Sequence, residues 1–193
     1  FRGSVREYLE LVKTIDPKII APSHGPVLQM PAKIVDLYAD WASETPKNKV
    51  VVAYVSMHGS TKQMANFLVD ALIQRGIPVN QYNLLDTDSG VLGSAIVDAA
   101  TIILATPTVL FGPHPVAVNA AYLVRALRPK TKHLGVIGSY GWGTNAVNYL
   151  AEMLEPVGAE ILEPVYIKGL PDEETISDIY KLADTIAEKH KDL

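Results

Sequence analysis

Short apolar runs alternate with amphipathic segments along most of this chain, from about residue 46 onward. The apolar runs are rich in β-branched residues and lie at Val50–Val55, Ile77–Leu84, Thr101–Ala105, His133–Ile137 and Ala159–Ile167. Segments with helical spacing follow at Ser60–Arg75, Ser89–Ala99, Pro115–Leu127, Asn145–Leu154 and Asp172–His190. Near-continuous apolar strands are typical of a parallel sheet covered by helices on both faces. The pattern therefore predicts an α/β domain of five β/α units.

The predicted helices carry their apolar residues on one side. In the first of them, a stripe at spacings of three and four residues comprises Met64, Phe67, Leu68, Ala71 and Leu72. The last helix repeats the pattern with Ile176, Ile179, Tyr180, Ala183, Ile186 and Ala187. We expect both stripes to pack against the sheet.

The first 45 residues do not follow this alternation. Arg6–Ile15 and Ile34–Trp41 have helical spacing, and Lys18–Ala21 is a short extended piece followed by the turn "PSHGPV". The polar stretch "SETPKNK" is typical of a linker. We therefore predict one unit over residues 1–45 and an α/β domain over residues 46–193.

Composition narrows the classes of function. The net charge of −4 comes with scattered lysines and arginines, which argues against a nucleic-acid surface. The absence of cysteine excludes disulfides, thiolate metal sites and cysteine nucleophiles. No run of about 18 apolar residues is present to span a bilayer. We expect a cytoplasmic protein, and because the chain begins with Phe1 we expect the natural protein to start further upstream.

Six uncharged, mostly small or polar residues, Ser56-Met57-His58-Gly59-Ser60-Thr61, connect the first strand to the first helix of the α/β domain. The amides of a helix start, together with hydroxyls, suit a phosphate. A Walker loop is excluded because Lys62 follows the threonine, and a Rossmann fingerprint is excluded because Gly59 stands alone. Ser60 or Thr61 as a simple helix cap is the alternative explanation.

Two further loops follow the third and fourth strands. "ATPTVLFGPHP" carries Val109, Leu110 and Phe111 between prolines, and "GSYGWGTNAV" alternates glycines with Tyr140 and Trp142. Flat apolar side chains on glycine-rich loops suit a planar aromatic cofactor. The alternatives are a buried aromatic corner for Trp142 and a hydrophobic interface for Phe111.

Together, "SMHGSTKQMA", "TPTVLFGPHP" and "GSYGWGTNAV" resemble the three FMN-binding loops of a flavodoxin-like domain, and "GSYGWG" resembles the third loop of the flavodiiron proteins. The resemblance implies a doubly wound five-stranded parallel sheet of order 2-1-3-4-5. Leu110 stands where the family commonly has asparagine. The FMN contacts implied are Ser56, Met57, His58, Gly59, Ser60, Thr61, Pro107, Thr108, Val109, Leu110, Phe111, Ser139, Tyr140, Gly141, Trp142 and Gly143.

His24 lies in an S-H-G turn that resembles the end of the metallo-β-lactamase-like domain of flavodiiron proteins. There the histidine is the last ligand of a non-haem di-iron site, so the resemblance implies a metal role for His24. A surface or hydrogen-bonded histidine is the alternative. No H-x-E-x-D cluster occurs in the 193 residues, so the remaining ligands of such a site are absent from this chain.

The resemblance implies the FMN-bearing portion of an oxidoreductase that reduces oxygen to water or nitric oxide to nitrous oxide. It also implies a reduced deazaflavin coenzyme or rubredoxin as electron donor, and a head-to-tail homodimer or tetramer. No side chain of the chain stands out as a general base. Two alternatives stay open: a free-standing flavodoxin-like electron carrier or quinone reductase, and a non-catalytic binding module of the same fold with an empty site.

Overall fold

A computed structural model describes residues 2–193 of the chain. The chain divides into two compact units, Phe1–Thr45 and Pro46–Leu193. No helix within residues 2–193 is long and apolar enough to cross a membrane.

The first unit contains two helices, α1 (Arg2–Ile15) and α2 (Pro31–Ala42). The Arg6 guanidinium joins the two ends of the unit, because it donates to the Ala42 carbonyl at 2.9 Å and to the Glu44 carboxylate at 2.8 Å. Helix α1 begins four residues before the predicted Arg6. In the extended piece predicted at Lys18–Ala21, a single bridge forms between Ile20 and Leu28, and no longer strand develops.

The second unit is built on a parallel sheet. Its main strands are β1 (Lys47–Tyr54), β2 (Val79–Asn83), β3 (Ala99–Val109), β5 (His133–Tyr140), β6 (Glu160–Ile161) and β7 (Val165–Lys168), and β4 (Gly112–Pro113) pairs antiparallel with β3. The order is β2-β1-β3-β5, with β6 and β7 both pairing with β5 at the edge. Since β5 is the fourth long strand, this order confirms the predicted flavodoxin-like arrangement.

Helices cover both faces of the sheet. They are α3 (Ser60–Gln74), α4 (Ser89–Ile96), α5 (Pro115–Leu127), α6 (Ala146–Leu154) and α7 (Glu173–His190). Alternate residues of β1 serve opposite faces: Val50 and Val52 join the core formed with α3 and α7, whereas Val51 and Ala53 join the core formed with α4, α5 and α6. A strand buried on both faces has no polar positions, which explains the continuous apolar runs.

The predicted α3 stripe is confirmed, since four of its five members are fully buried and Phe67 is partly buried against the same core. The α7 stripe holds except at Tyr180, which is 37% exposed. Its ring lies under the Arg75 guanidinium, 5.8 Å from the ring centroid. A cation above an aromatic face stabilises such a half-exposed ring.

Several predicted boundaries differ from the observed ones, and two of these differences have a clear physical reason. The fifth strand is not continuous over Ala159–Ile167: it divides into β6 and β7 around Pro164, which has no amide proton for a ladder hydrogen bond. The linker is also shorter than predicted, because β1 begins at Lys47, whose amide donates to the Asp98 carbonyl at 2.7 Å.

The β3–β4 hairpin turns on two non-glycine residues with positive φ, Leu110 at 46° and Phe111 at 75°. A two-residue hairpin turn with positive φ at both positions normally carries asparagine and glycine. The Leu110 side chain is 99% exposed, so packing does not compensate its backbone strain.

We expect Leu110→Asn to raise the free energy of unfolding by about 0.5 to 1 kcal/mol, because asparagine tolerates the left-handed region better than leucine. Urea unfolding of the two proteins measures the difference. Leu85→Asn is the matched control, since Leu85 is exposed but is not among the positive-φ residues. A stability gain no larger than that of the control would contradict strain at Leu110.

His190 packs at the amino-terminal edge of the sheet, opposite the edge that carries the β3–β4 hairpin. Its side chain is 5% exposed and lies 2.7 Å from Thr101 Oγ1 through Nε2 and 2.8 Å from Asn48 Oδ1 through Nδ1. Burial, with the nearby His133 as a smaller cause, lowers the pKa of His190 to about 4.

The folded pKa of His190 lies below the unfolded value, so the unfolded chain takes up the proton first as pH falls. We expect the free energy of unfolding to decrease as the pH falls from 6.5 to 4, and we attribute about 2 kcal/mol of the difference between pH 7 and pH 5 to His190. His190→Gln should show a correspondingly smaller loss in urea unfolding at the two pH values. His58→Gln, at an exposed histidine, should behave like the wild type, and equal acid sensitivity in all three proteins would refute the assignment.

Candidate functional site

A cavity of about 720 Å³ opens at the carboxyl edge of the sheet, where the loops after β1, β3, β5 and β7 meet. Its size falls within the roughly 300 to 1,000 Å³ usual for ligand and cofactor sites. The lining residues are Met57, His58, Ser60, Pro107, Thr108, Leu110, Phe111, Ser139, Tyr140, Gly141, Trp142, Gly143, Gly169 and Leu170.

The loop after β1 presents backbone amides to this edge. Gly59 stands at the N-cap of α3 with φ of 94°, and no side chain caps the helix. The alternative in which Ser60 or Thr61 serves as the cap is therefore wrong. The first backbone bond of the helix runs from the Gln63 amide to the Gly59 carbonyl at 2.9 Å. Amides before Gln63 lack an intrahelical acceptor by helix geometry.

Three hydroxyls converge beside these amides. Ser60 Oγ lies 2.7 Å from Ser139 Oγ, and Thr61 Oγ1 lies 3.4 Å from the same atom. Ser139 is 5% exposed and is the next-to-last residue of β5, so the contact ties the fourth long strand to the first loop. Among the lining residues, His58 is the only side chain able to carry a positive charge. An anion here would be held chiefly by neutral donors and the α3 dipole.

The second and third loops are joined at their tips. The Asn145 amide donates to the Phe111 carbonyl at 2.7 Å. A Cβ at Gly143 would lie 3.3 Å from Phe111 Cε2, so the glycine leaves room for the ring. Trp142 is 96% exposed, and the alternative of a buried aromatic corner is therefore wrong. Leu110, Phe111 and Trp142 form an exposed apolar rim around the cavity.

A second hydroxyl cluster lies beneath the rim. Thr108 Oγ1 is 2.7 Å from Thr144 Oγ1 and 3.0 Å from the Tyr166 phenol. Thr144 Oγ1 also accepts from the Ala146 amide at 3.0 Å. The rings of Tyr166 and Tyr140 are nearly parallel, at 5°, with centroids 6.2 Å apart. Burial raises the pKa of the Tyr166 phenol, a group that is protonated at neutral pH in any case.

Most of the residues predicted from the three loops line the cavity. Ser56, Gly59, Thr61 and Val109 do not. Ser56 acts locally, because its hydroxyl accepts from the Gly59 amide at 3.1 Å, and Thr61 is fully buried below the loop. The metal role predicted for His24 stays a prediction: His24 is exposed, and residues 2–193 contain no group of three side chains suited to a metal ion.

Sequence reasoning missed a fourth loop, Gly169 and Leu170, which follows β7. The Gly169 amide donates to the Tyr140 carbonyl at 2.9 Å, which fixes this loop beside the third. This loop could have been predicted, because it follows a parallel strand and the carboxyl ends of all parallel strands share one edge of the sheet. Tyr166 was missed because its position depends on the register of β7 against β5, and Thr144 was missed because its contact with Thr108 joins two loops that are distant in the sequence.

Comparison with known proteins agrees with this geometry. A family model described as flavodoxin matches residues 52–182. The coenzyme F420H(2) oxidase of Methanocaldococcus jannaschii is 32% identical over 181 residues, which cover 91% of this chain and 44% of that protein. The chain spans about half the length of the first curated relatives it matches.

Two solved structures differ in how much of the chain they match. The rubredoxin oxygen:oxidoreductase of Desulfovibrio gigas superposes with a TM-score of 0.89 at 29% identity, over 98% of this chain and 50% of its own. A flavodoxin from the domain Archaea superposes with a TM-score of 0.64 at 26% identity, over 74% of this chain and 99% of its own.

The sheet order, the cavity at its carboxyl edge and the family match over residues 52–182 agree with one another. The chain belongs to the flavodoxin family.

Proposed function

We propose that this chain is the FMN-binding, electron-transfer part of a flavodiiron oxidoreductase. The proposal rests on how much of this chain each solved structure matches. An archaeal flavodoxin accounts for 74% of the chain, whereas the rubredoxin oxygen:oxidoreductase accounts for 98% of it, including most of the first 45 residues. A free-standing electron carrier or quinone reductase would leave that first unit unexplained.

The phosphate of FMN fits the polar end of the cavity. The amides at the start of α3 point a partial positive charge toward this end. The Ser60 and Ser139 hydroxyls, 2.7 Å apart, supply further donors, and Thr61 supports Ser139 from below. In this proposal Ser56 and Gly59 hold the loop's shape rather than touch the ligand.

The isoalloxazine ring fits the apolar end. Tyr140 and Trp142 offer flat faces, and Leu110 and Phe111 add further apolar surface to the lining. Pro107, Val109, Gly141 and Gly143 belong to the backbone that carries these side chains. Covering the ring with hydrocarbon excludes water from its edge. FMN, when bound, supplies one- and two-electron redox chemistry, and the protein supplies binding and orientation.

In this proposal the first unit is the tail of a metallo-β-lactamase-like di-iron domain. His24 would provide one imidazole to the irons, with all other ligands contributed by residues outside this chain. Imidazole and carboxylate are the usual ligands of non-haem iron. The intact protein would pass electrons from FMN to the di-iron centre, where oxygen is reduced to water or nitric oxide to nitrous oxide.

The proposal also covers the electron donor and the oligomeric state. A relative named coenzyme F420H(2) oxidase supports a reduced deazaflavin donor, and one named rubredoxin oxygen:oxidoreductase supports rubredoxin. A head-to-tail homodimer or tetramer would bring the exposed rim of one copy against the di-iron domain of another. Large exposed apolar groups such as Leu110 and Trp142 are typical of such an interface.

Titration of the 193-residue chain with FMN tests the proposal directly. We expect one FMN to bind per chain, with quenching of flavin fluorescence. No binding at high micromolar FMN would contradict the proposal and favour a binding module of the same fold.

Trp142→Ala should weaken FMN binding by about 1 to 3 kcal/mol, or roughly 5- to 150-fold, through lost stacking and burial. Trp142→Phe should retain most of the affinity. Tyr122→Ala is the matched control, because Tyr122 is an exposed aromatic residue on α5 that does not line the cavity. If Trp142→Ala binds FMN as tightly as this control, Trp142 does not contact the ring.

A further inference from the structure

We propose that Tyr166 is a positioning residue for the ligand of this cavity: its phenol donates to Thr108 and so directs the Thr108 hydroxyl proton into the cavity. The inference rests on the proposed function, because it assigns that proton to bound FMN. Tyr166 itself does not line the cavity and acts only through Thr108.

The space for the Tyr166 ring is built into β5. Gly138 pairs with Tyr166 in the register between β5 and β7. A Cβ at Gly138 would lie 2.7 Å from Tyr166 Cε2 and 1.9 Å from the Thr106 carbonyl oxygen. The absence of a side chain at Gly138 therefore lets the ring lie across the end of the sheet.

Both the ring and the hydroxyl of Tyr166 contact residues of the neighbouring loops. Tyr140 stacks parallel to the ring, with the centroids 6.2 Å apart, and the phenol oxygen lies 3.0 Å from Thr108 Oγ1. A tyrosine phenol is protonated at neutral pH and can donate, and burial raises the pKa of Tyr166 further. Tyr166 thus links one lining residue of the third loop to one of the second.

The donors assigned within this cluster decide what the link does. Thr108, Thr144 and Tyr166 carry one hydroxyl proton each, Thr108 is hydrogen-bonded to both of the others, and Thr144 also interacts with the Tyr166 phenol. When Tyr166 and Thr144 both donate to Thr108, the Thr108 proton has no protein acceptor within the cluster. Thr108 lines the cavity, so this proton is available to a ligand acceptor.

No other side chain of the hairpin can make this contact. The hairpin residues that line the cavity are Pro107, Thr108, Leu110 and Phe111, and only Thr108 has a polar side-chain atom. The orientation of one hydroxyl therefore decides whether the hairpin offers the flavin a side-chain hydrogen bond.

A double-mutant cycle tests this role, with FMN affinity read by fluorescence titration of the full chain. Tyr166→Phe removes only the phenol oxygen and should weaken binding about 3- to 10-fold, as should Thr108→Val. Because Tyr166 acts through Thr108, adding Tyr166→Phe to Thr108→Val should weaken binding no further. In a Thr108→Ser background, which keeps the hydroxyl, Tyr166→Phe should again cost 3- to 10-fold. The visible absorption band of bound FMN should shift in the same pattern.

Tyr82→Phe is the matched control, since Tyr82 is a half-buried tyrosine in β2 that does not line the cavity, and it should leave affinity unchanged. Thermal unfolding checks that each variant folds, and Thr108→Ala replaces Thr108→Val if the latter does not. Equal weakening by Tyr166→Phe with and without the Thr108 hydroxyl, or no weakening at all, overturns the inference alone. A wild-type chain that does not bind FMN overturns the proposed function and this inference together.

Discussion

The structure depends on the burial of β3 between β1 and β5. Its residues from Ala99 to Thr106 are all buried, so both faces and both edges of this strand are covered. The three strands run in parallel, with Ile103 opposite Val52 on one side and Gly135 on the other. Parallel pairing brings every carboxyl end to one edge of the sheet. The cavity exists because four loops must leave from that edge together.

The two edges of the sheet have different chemistry. At the carboxyl edge, backbone amides, hydroxyls and exposed aromatic side chains surround a cavity with little charge. At the amino-terminal edge, His190 contacts Thr101 and Asn48, and Asp98 forms ion pairs with Lys47 and Lys49. The contacts that stabilise the fold therefore lie away from the carboxyl edge. That edge carries the backbone strain at Leu110 and the exposed hydrophobic side chains.

Periodicity was sufficient to predict the strands and the helices, because burial on both faces leaves a continuous apolar signal in the central strands, whereas the strand order was implied by the resemblance of the three loops. It failed at the sheet edge, where Pro164 divides the fifth strand and only a short pairing remains. Three of the four loops of the site were identified from hydroxyl, glycine and aromatic residues. Tyr166 was missed because a tyrosine in a strand has no local pattern that reveals its contact with Thr108. Such contacts depend on how two strands align with each other, and this alignment cannot be read from a short segment of the sequence.

The central claim is that the four loops hold FMN with its phosphate at the start of α3 and its ring at the aromatic rim. A crystal structure of the 193-residue chain with FMN tests this claim most directly. The account predicts phosphate oxygens within hydrogen-bond distance of the Ser60 hydroxyl and the first amides of α3, with the flavin ring against Trp142 or Tyr140. Density for FMN elsewhere on the protein, or the reverse orientation with the ring beside Ser60, would contradict it.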